Sequence, residues 1–234
     1  MKQTRSRHTT LSGRDQIVIR HVDRMRISTI EMLMCSVLMG LSRSAISKIV
    51  NRLCRAGFLG SYTLHHPARY FVLGSEGARF LGRKKYRTLP LGPLALAIEY
   101  ATAAHCLLGN DKRKRLTRED IARRLPWLPE RKQHIPMCFE SSKKTLEIIR
   151  VDLGGSPAHV AGKCHFDIAE RIDIPEFRGL VKSGDIRLVV VTSTAEKASA
   201  IRNATEKHEW PPGLQFHCSI VSNLITLLAR TKNA

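Results

Sequence analysis

The chain has 234 residues, of which 39 are Lys or Arg and 20 are Asp or Glu, for a formal charge of +19. Its 43% hydrophobic content is enough to bury a core, which excludes a wholly disordered basic tail, and the length suits two small domains. No apolar run approaches the roughly 20 residues of a bilayer span, and no apolar stretch follows the basic N-terminus to form a secretory signal, so a cytoplasmic protein with no membrane partner is expected.

The charge is uneven. Residues 1–90 hold 17 Lys/Arg against 4 Asp/Glu, residues 91–145 hold 11 against 6, and residues 146–234 hold 11 against 10. An excess of this size in one part of a chain is the footprint of a phosphate-bearing partner; a membrane surface would require an amphipathic basic helix with large apolar anchors, which the sequence lacks. The six cysteines (Cys35, Cys54, Cys106, Cys138, Cys164, Cys218) form no C-x-x-C pair and read as small core residues rather than a zinc ribbon or disulfide framework. Aromatics are sparse and scattered, which argues against a stacking platform for single strands.

Residues 1–13 read as a flexible basic arm. Ile17, Val18, His21, Val22 and Met25 recur at helical spacing over Asp15–Arg26. Ser28 or Thr29 then caps a second helix whose inner side carries Ile30, Leu33, Met34, Val37 and Leu38, and Gly40 suits the turn that ends it. Ser42 caps a third helix. Its inner face is Ile46, Ile49, Val50 and Leu53; its outer face presents Arg43, Ser44, Ser47, Lys48, Asn51, Arg52 and Arg55. Long cations suited to phosphates thus alternate with short hydroxyl and amide groups suited to base edges, although a merely solvated helix would look similar. The run Ala56–Leu64 then enters a strand, His65-His66-Pro67-Ala68 can turn, and Arg69–Leu73 returns as a second strand. His65 and His66 are either metal ligands or exposed turn residues, and adjacent strand side chains that point to opposite faces favour the turn.

Three helices and a hairpin, with Cys54-Arg55-Ala56-Gly57-Phe58-Leu59 and Leu73-Gly74-Ser75-Glu76-Gly77, resemble the winged helix-turn-helix of MarR-like and PadR-like regulators over residues 14–88. The resemblance implies that helix 42–56 enters the major groove and that the wing, 61–73, meets the adjacent groove. The DNA-binding candidates are therefore Arg43, Ser44, Ser47, Lys48, Asn51, Arg52 and Arg55 on the helix and Arg69 on the wing. Ser75 stands where the family often has Thr, a departure that affects a helix cap.

Residues 83–93 are charged and then broken by Pro90 and Pro93, so 89–130 reads as a helical connector. Within it, Leu94–Leu108 is a nearly all-apolar helix for a buried core or a dimer interface. Asp111–Arg115 reads as a basic loop, open as a nuclear address, a second phosphate patch or a solvated turn. Thr117 and Asp120 form a capping box for a helix that stops at Pro126. In residues 131–234, strands over 135–139 and 145–152 precede helices and strands in the order αβαβα, a mixed sheet flanked by helices, so the whole chain is expected to be α+β.

The pieces Leu146–Gly155, Val160–Lys163, Arg187–Thr192 and Ile201-Arg202 resemble the C-terminal domain of the replication-relaxation family of plasmid and mobile-element proteins, which pair a winged helix with a restriction-endonuclease-like fold. Nuclease chemistry there needs paired carboxylates on one cation. Pro136-Met137 and Arg150-Val151-Asp152 put a thioether and a guanidinium where carboxylates belong, which implies a fold kept without its metal site. Asp152, Lys163 and Asp167 could instead form a displaced site, or Asp152 could be held by Lys163 or by backbone N–H groups at Gly154-Gly155.

Gly154-Gly155 is neither a phosphate loop nor a dinucleotide fingerprint, and G-x-S-x-G and H-E-x-x-H are absent, so no cofactor, metal or catalytic residue is expected. These readings lead to a non-enzymatic, sequence-preferring binder of double-stranded DNA. It would be homodimeric or docked to a protein partner through the C-terminal domain, in plasmid or mobile-element replication, mobilisation or transcription control. The alternatives are a metal-dependent nuclease or nicking enzyme and a repressor whose helix 94–108 lines a ligand pocket.

Overall fold

A computed structural model describes residues 10–109 and 113–231. Residues 1–9 of the basic arm, and Asp111 and Lys112 of the basic loop, lie outside the described residues. The chain divides into two compact units, Met1–Pro90 and Leu91–Ala234, and its helices and mixed sheet make it α+β.

In the first unit, α1 (Gly13–Met25) begins at a capping box. The Ser12 hydroxyl accepts from the Asp15 backbone N–H, and the Asp15 carboxylate accepts from the Ser12 N–H at 3.0 Å. Thr29 caps α2 (Ile30–Cys35). This helix stops earlier than the apolar spacing predicts, because the Ser36 hydroxyl donates to the Met32 carbonyl at 2.5 Å and the Leu38 N–H closes on the Leu33 carbonyl. Leu38 is still buried, but from the turn. The chain reverses at Gly40, whose φ of +83° suits a residue without Cβ.

Ser42 then caps α3 (Arg43–Arg55), as its spacing predicts. Ile46, Val50 and Leu53 on α3 pack with Val18, Ile19, Val22 and Leu33. β1 (Leu59–His65) pairs antiparallel with β2 (Ala68–Leu73), Leu59 opposite Leu73, with an irregularity between Thr63 and His65. Ser28 exchanges both backbone hydrogen bonds with Phe71, stitching the α1–α2 connection to the hairpin. α4 (Ser75–Phe80) follows; its N-cap is Gly74 with no side-chain bond, and Ser75 is the first helical residue rather than the cap.

The second unit opens with α5 (Pro93–Leu107), and here the connector reading is corrected. Leu96, Ala97 and Tyr100–Cys106 are buried because small side chains let the helix lie close on a sheet. That sheet has the order β3 (Arg113–Arg115), β4 (Met137–Glu140), β5 (Thr145–Val151), β6 (Ile186–Thr192), β7 (Gln215–Ile220). It is antiparallel through β5 and parallel beyond, the mixed sheet expected.

β3 replaces part of the expected basic loop. Arg113 reaches the buried Glu147 at 2.9 Å and Arg115 reaches Glu99 at 2.5 Å, so two of the cations are taken up inside the unit and Lys114 between them is exposed. Thr117 and Asp120 do form a capping box at the start of α6 (Arg118–Arg124). α7 (Pro157–Ile172), α8 (Pro175–Lys182) and α9 (Ala195–Thr205) pack with Ile148, Leu188 and Val190 on one sheet face, and α10 (Leu224–Thr231) packs against α5 on the other side.

Candidate nucleic-acid interface

The surface that collects the sequence candidates is the outer side of α3. An inward row of Ile46, Val50 and Leu53, each 0% exposed, turns the remaining positions outward. Ser44, Lys48, Asn51 and Arg55 are exposed, and Ser47 is half-buried beside them. Two arginines on this helix have protein partners. Arg43 pairs with Glu31 of α2 at 2.6 Å, both exposed, while Arg52 donates to Asp15 of α1 at 2.5 Å with the carboxylate almost fully buried. Burial pushes the Asp15 carboxyl up, but the hydrogen bonds from Arg52 and Ser12 outweigh it and hold the group below its ordinary value.

Arg52 is therefore a strut between two helices as well as a surface cation. Sequence spacing placed it correctly on the outer face; it carried no sign that Asp15, 37 residues earlier, would meet it. The hint lay in the Ser12-Gly13-Arg14-Asp15 capping box, which puts a carboxylate at a fixed helix position.

Arg69 is exposed on β2. It shares strand parity with Phe71 and Leu73, which pack into the core beneath α3. Its charge also acts on Cys54 of α3: burial raises that thiol above its ordinary value and Arg69 opposes the shift. The strand cation thus stands on the α3 side of the hairpin. His65 ends β1 and His66 is exposed in the turn, and neither joins a cluster of potential metal ligands among the described residues. The basic segment after α4 is likewise tied down, with Arg83 and Arg87 both on Asp23 of α1 at 2.7 and 3.1 Å.

In the second unit, the residues proposed for a displaced metal site are dispersed among other partners. Asp152 accepts from the Thr192 hydroxyl and the Gly154 N–H, both at 2.9 Å, the backbone arrangement the glycine turn suggested. Asp167 is engaged by Arg150, whose Nε donates to it at 2.8 Å. Lys163 is exposed, and among the described residues no ion pair joins it to either aspartate. On the apolar helix that the small-molecule alternative would use, Leu96, Ala97 and Tyr100–Cys106 are buried and Leu94 is exposed. A cleft of about 290 Å³ lies along α7, lined by His165, Ile168, Ile172, Glu209 and Trp210.

A second polar centre escaped the sequence reading altogether. Under α5, His105 places Nε2 2.9 Å from Glu147 Oε2 and Nδ1 3.0 Å from the Ser219 hydroxyl. The Cys138 thiol and Arg113 Nε donate to the same carboxylate oxygen at 3.0 and 2.9 Å, and Arg187 joins Glu147 to Glu140. Burial raises the Glu147 carboxyl, but hydrogen bonds from His105 and Cys138 and the neighbouring charges bring it down to about 2. No periodic pattern announces such a centre, because its members come from six separate elements. Comparison with protein-family models, with curated proteins and with solved structures finds no match to this chain.

Proposed function

We propose that the chain is a sequence-preferring binder of double-stranded DNA, its first unit a winged helix-turn-helix with α3 as the groove-reading helix and the β1–β2 hairpin as the wing. The observation that carries the reading is the division of α3: a fully buried apolar row, and opposite it Ser44, Ser47, Lys48, Asn51 and Arg55 with Arg69 on the same side of the hairpin. Such a face offers phosphate-neutralising cations beside short donors and acceptors of the kind that read base edges. The +13 charge of residues 1–90 supports it, since nonspecific attraction to duplex DNA scales with the phosphates neutralised. By its resemblance, the setting is replication, mobilisation or transcription control of a plasmid or mobile element, with the second unit as the dimerisation or partner-docking module.

The test is binding of the full-length protein to duplex fragments from its own genetic neighbourhood at two salt concentrations, with and without Mg²⁺. A preference for one duplex that survives the higher salt is the expected result. Equal affinity for all fragments, lost uniformly with salt, would reject sequence reading. Cutting that requires Mg²⁺ would make the chain a nuclease instead.

A further inference from the structure

The layer between α5 and the sheet is polar where it had no need to be. By strand alternation, Ile149, Val151, Val189 and Val191 fill one end of this sheet face with buried apolar groups. At the other end stand Cys138, Glu140, Glu147 and Arg187, a choice that costs desolvation which an apolar filling would avoid. Within it, an imidazole nitrogen of His105, the Cys138 sulfur and a Glu147 oxygen lie within 4.8 Å of one another, on residues no more than 3% exposed. His105, Cys138 and Arg113 all converge on Glu147 Oε2, although a carboxylate offers about two lone-pair sites per oxygen.

We propose that His105, Cys138 and Glu147 form a site for Zn²⁺ that ties α5 to β4 and β5. One sulfur, one imidazole nitrogen and one carboxylate oxygen suit a borderline-soft d¹⁰ ion, whereas Ca²⁺ and Mg²⁺ take oxygen shells. With zinc about 2.3 Å from sulfur and about 2.0 Å from nitrogen, neighbouring ligands stand roughly 3.3–3.8 Å apart. Donors now 2.9–3.0 Å apart reach that geometry by separating less than an ångström or so, a small adjustment around one centre.

The surroundings fit the ion. Binding releases the Cys138 thiol proton to solvent and adds a divalent cation, so the layer gains one positive charge. Arg113 and Arg187 continue to balance Glu147 and Glu140. Ser219, at 3.0 Å from His105 Nδ1, orients the ring so that Nε2 faces the centre, and the two arginines hold the carboxylate, the supporting contacts that metal ligands require. Cys164, also buried, sits on α7 against the opposite sheet face and takes no part.

The test uses the full-length protein, reduced and stripped of metal, titrated with Co²⁺ and then Zn²⁺. One equivalent of Co²⁺ should produce the visible bands of a tetrahedral ion and a near-ultraviolet thiolate charge-transfer band, and Zn²⁺ should erase both. Cys138→Ser should remove the charge-transfer band or weaken it sharply, while Cys164→Ser leaves it intact. Should Cys138→Ser not fold, the wild-type chain decides through thiol labelling read by mass spectrometry. At free Zn²⁺ of 100 times Kd, labelling of Cys138 through opening of the site should slow about a hundredfold, beyond any change at Cys164. A wild-type chain without the charge-transfer band, a band that survives Cys138→Ser, or equal protection of Cys164 would overturn the proposal.

Discussion

His21 shows what a single buried side chain does to the first unit. It is 9% exposed on α1, its Nε2 has no hydrogen-bond partner, and burial, reinforced by Arg24, lowers its pKa to about 4. Because the folded value lies below the unfolded one, the unfolded chain takes up the proton first as the medium acidifies. Stability should therefore fall as pH drops from 6.5 towards 4, by roughly 3 kcal/mol for a shift of this size. His21→Leu should flatten that interval in urea midpoints measured against pH; an unchanged slope would assign the acid sensitivity elsewhere. Arg52 and Lys48, one turn apart on α3, should separate in the same assay. Arg52→Ala removes the partner of a buried carboxylate, discounted because the arginine itself is 43% exposed, and should cost about 1–2 kcal/mol of stability. Lys48→Ala should leave the urea midpoint within about 0.5 kcal/mol and weaken binding to every duplex alike.

At the scale of elements, the hairpin and α4 are held by close approach of backbone to backbone. A Cβ on Gly77 would stand 2.2 Å from the Phe58 carbonyl oxygen, and one on Gly74 would stand 2.1 Å from that of Gly57. Gly77→Ala should cost about 1–3 kcal/mol by driving α4 off β1, while Gly13→Ala, with nothing within 4 Å, should not destabilise; equal thermal shifts would refute the packing argument. The glycine spacing at 74 and 77 that carried the family resemblance thus has a packing reason. On α3, Asn51→Ala should relax preference at individual base positions by about 1–3 kcal/mol per lost bidentate contact, and a binding-site selection that returns the same motif would take Asn51 out of the groove. Elements governed by local chemistry were legible in advance: Ser42 and Thr117 announced the caps of α3 and α6. β3 was not, because Arg-Lys-Arg has no apolar alternation and becomes a strand only when Glu147 and Glu99, remote in sequence, take its arginines. The outer face of α3 could be drawn from spacing alone, whereas the partners that fix Arg43 and Arg52 required the fold.

For the whole molecule, charge and fold divide at the same place. Residues 1–90 hold 17 Lys/Arg against 4 Asp/Glu, and residues 91–234 hold 22 against 16, with the boundary between compact units at Pro90 and Leu91. Several cations of the second unit are spent internally on Glu99, Glu140 and Glu147, so its count of cations overstates what it offers a polyanion. If the first unit carries the interface, a fragment of residues 1–90 should unfold cooperatively by itself and keep the steep fall of affinity with salt. Each phosphate contact contributes about 0.9 to the slope of log K against log salt, so removing Lys2, Arg5 and Arg7 should lower it by at most about 3. The 91–234 fragment should bind duplex DNA weakly and with a shallow slope. It presents exposed Ile220 on the edge strand β7 and exposed Ile225 on α10, groups suited to association with a second copy or a partner. Sedimentation of that fragment, run beside the salt titrations, therefore separates the two tasks. A 91–234 fragment with the steeper salt slope would move the interface off α3, and a monomeric fragment beside a dimeric full chain would move association into the first unit.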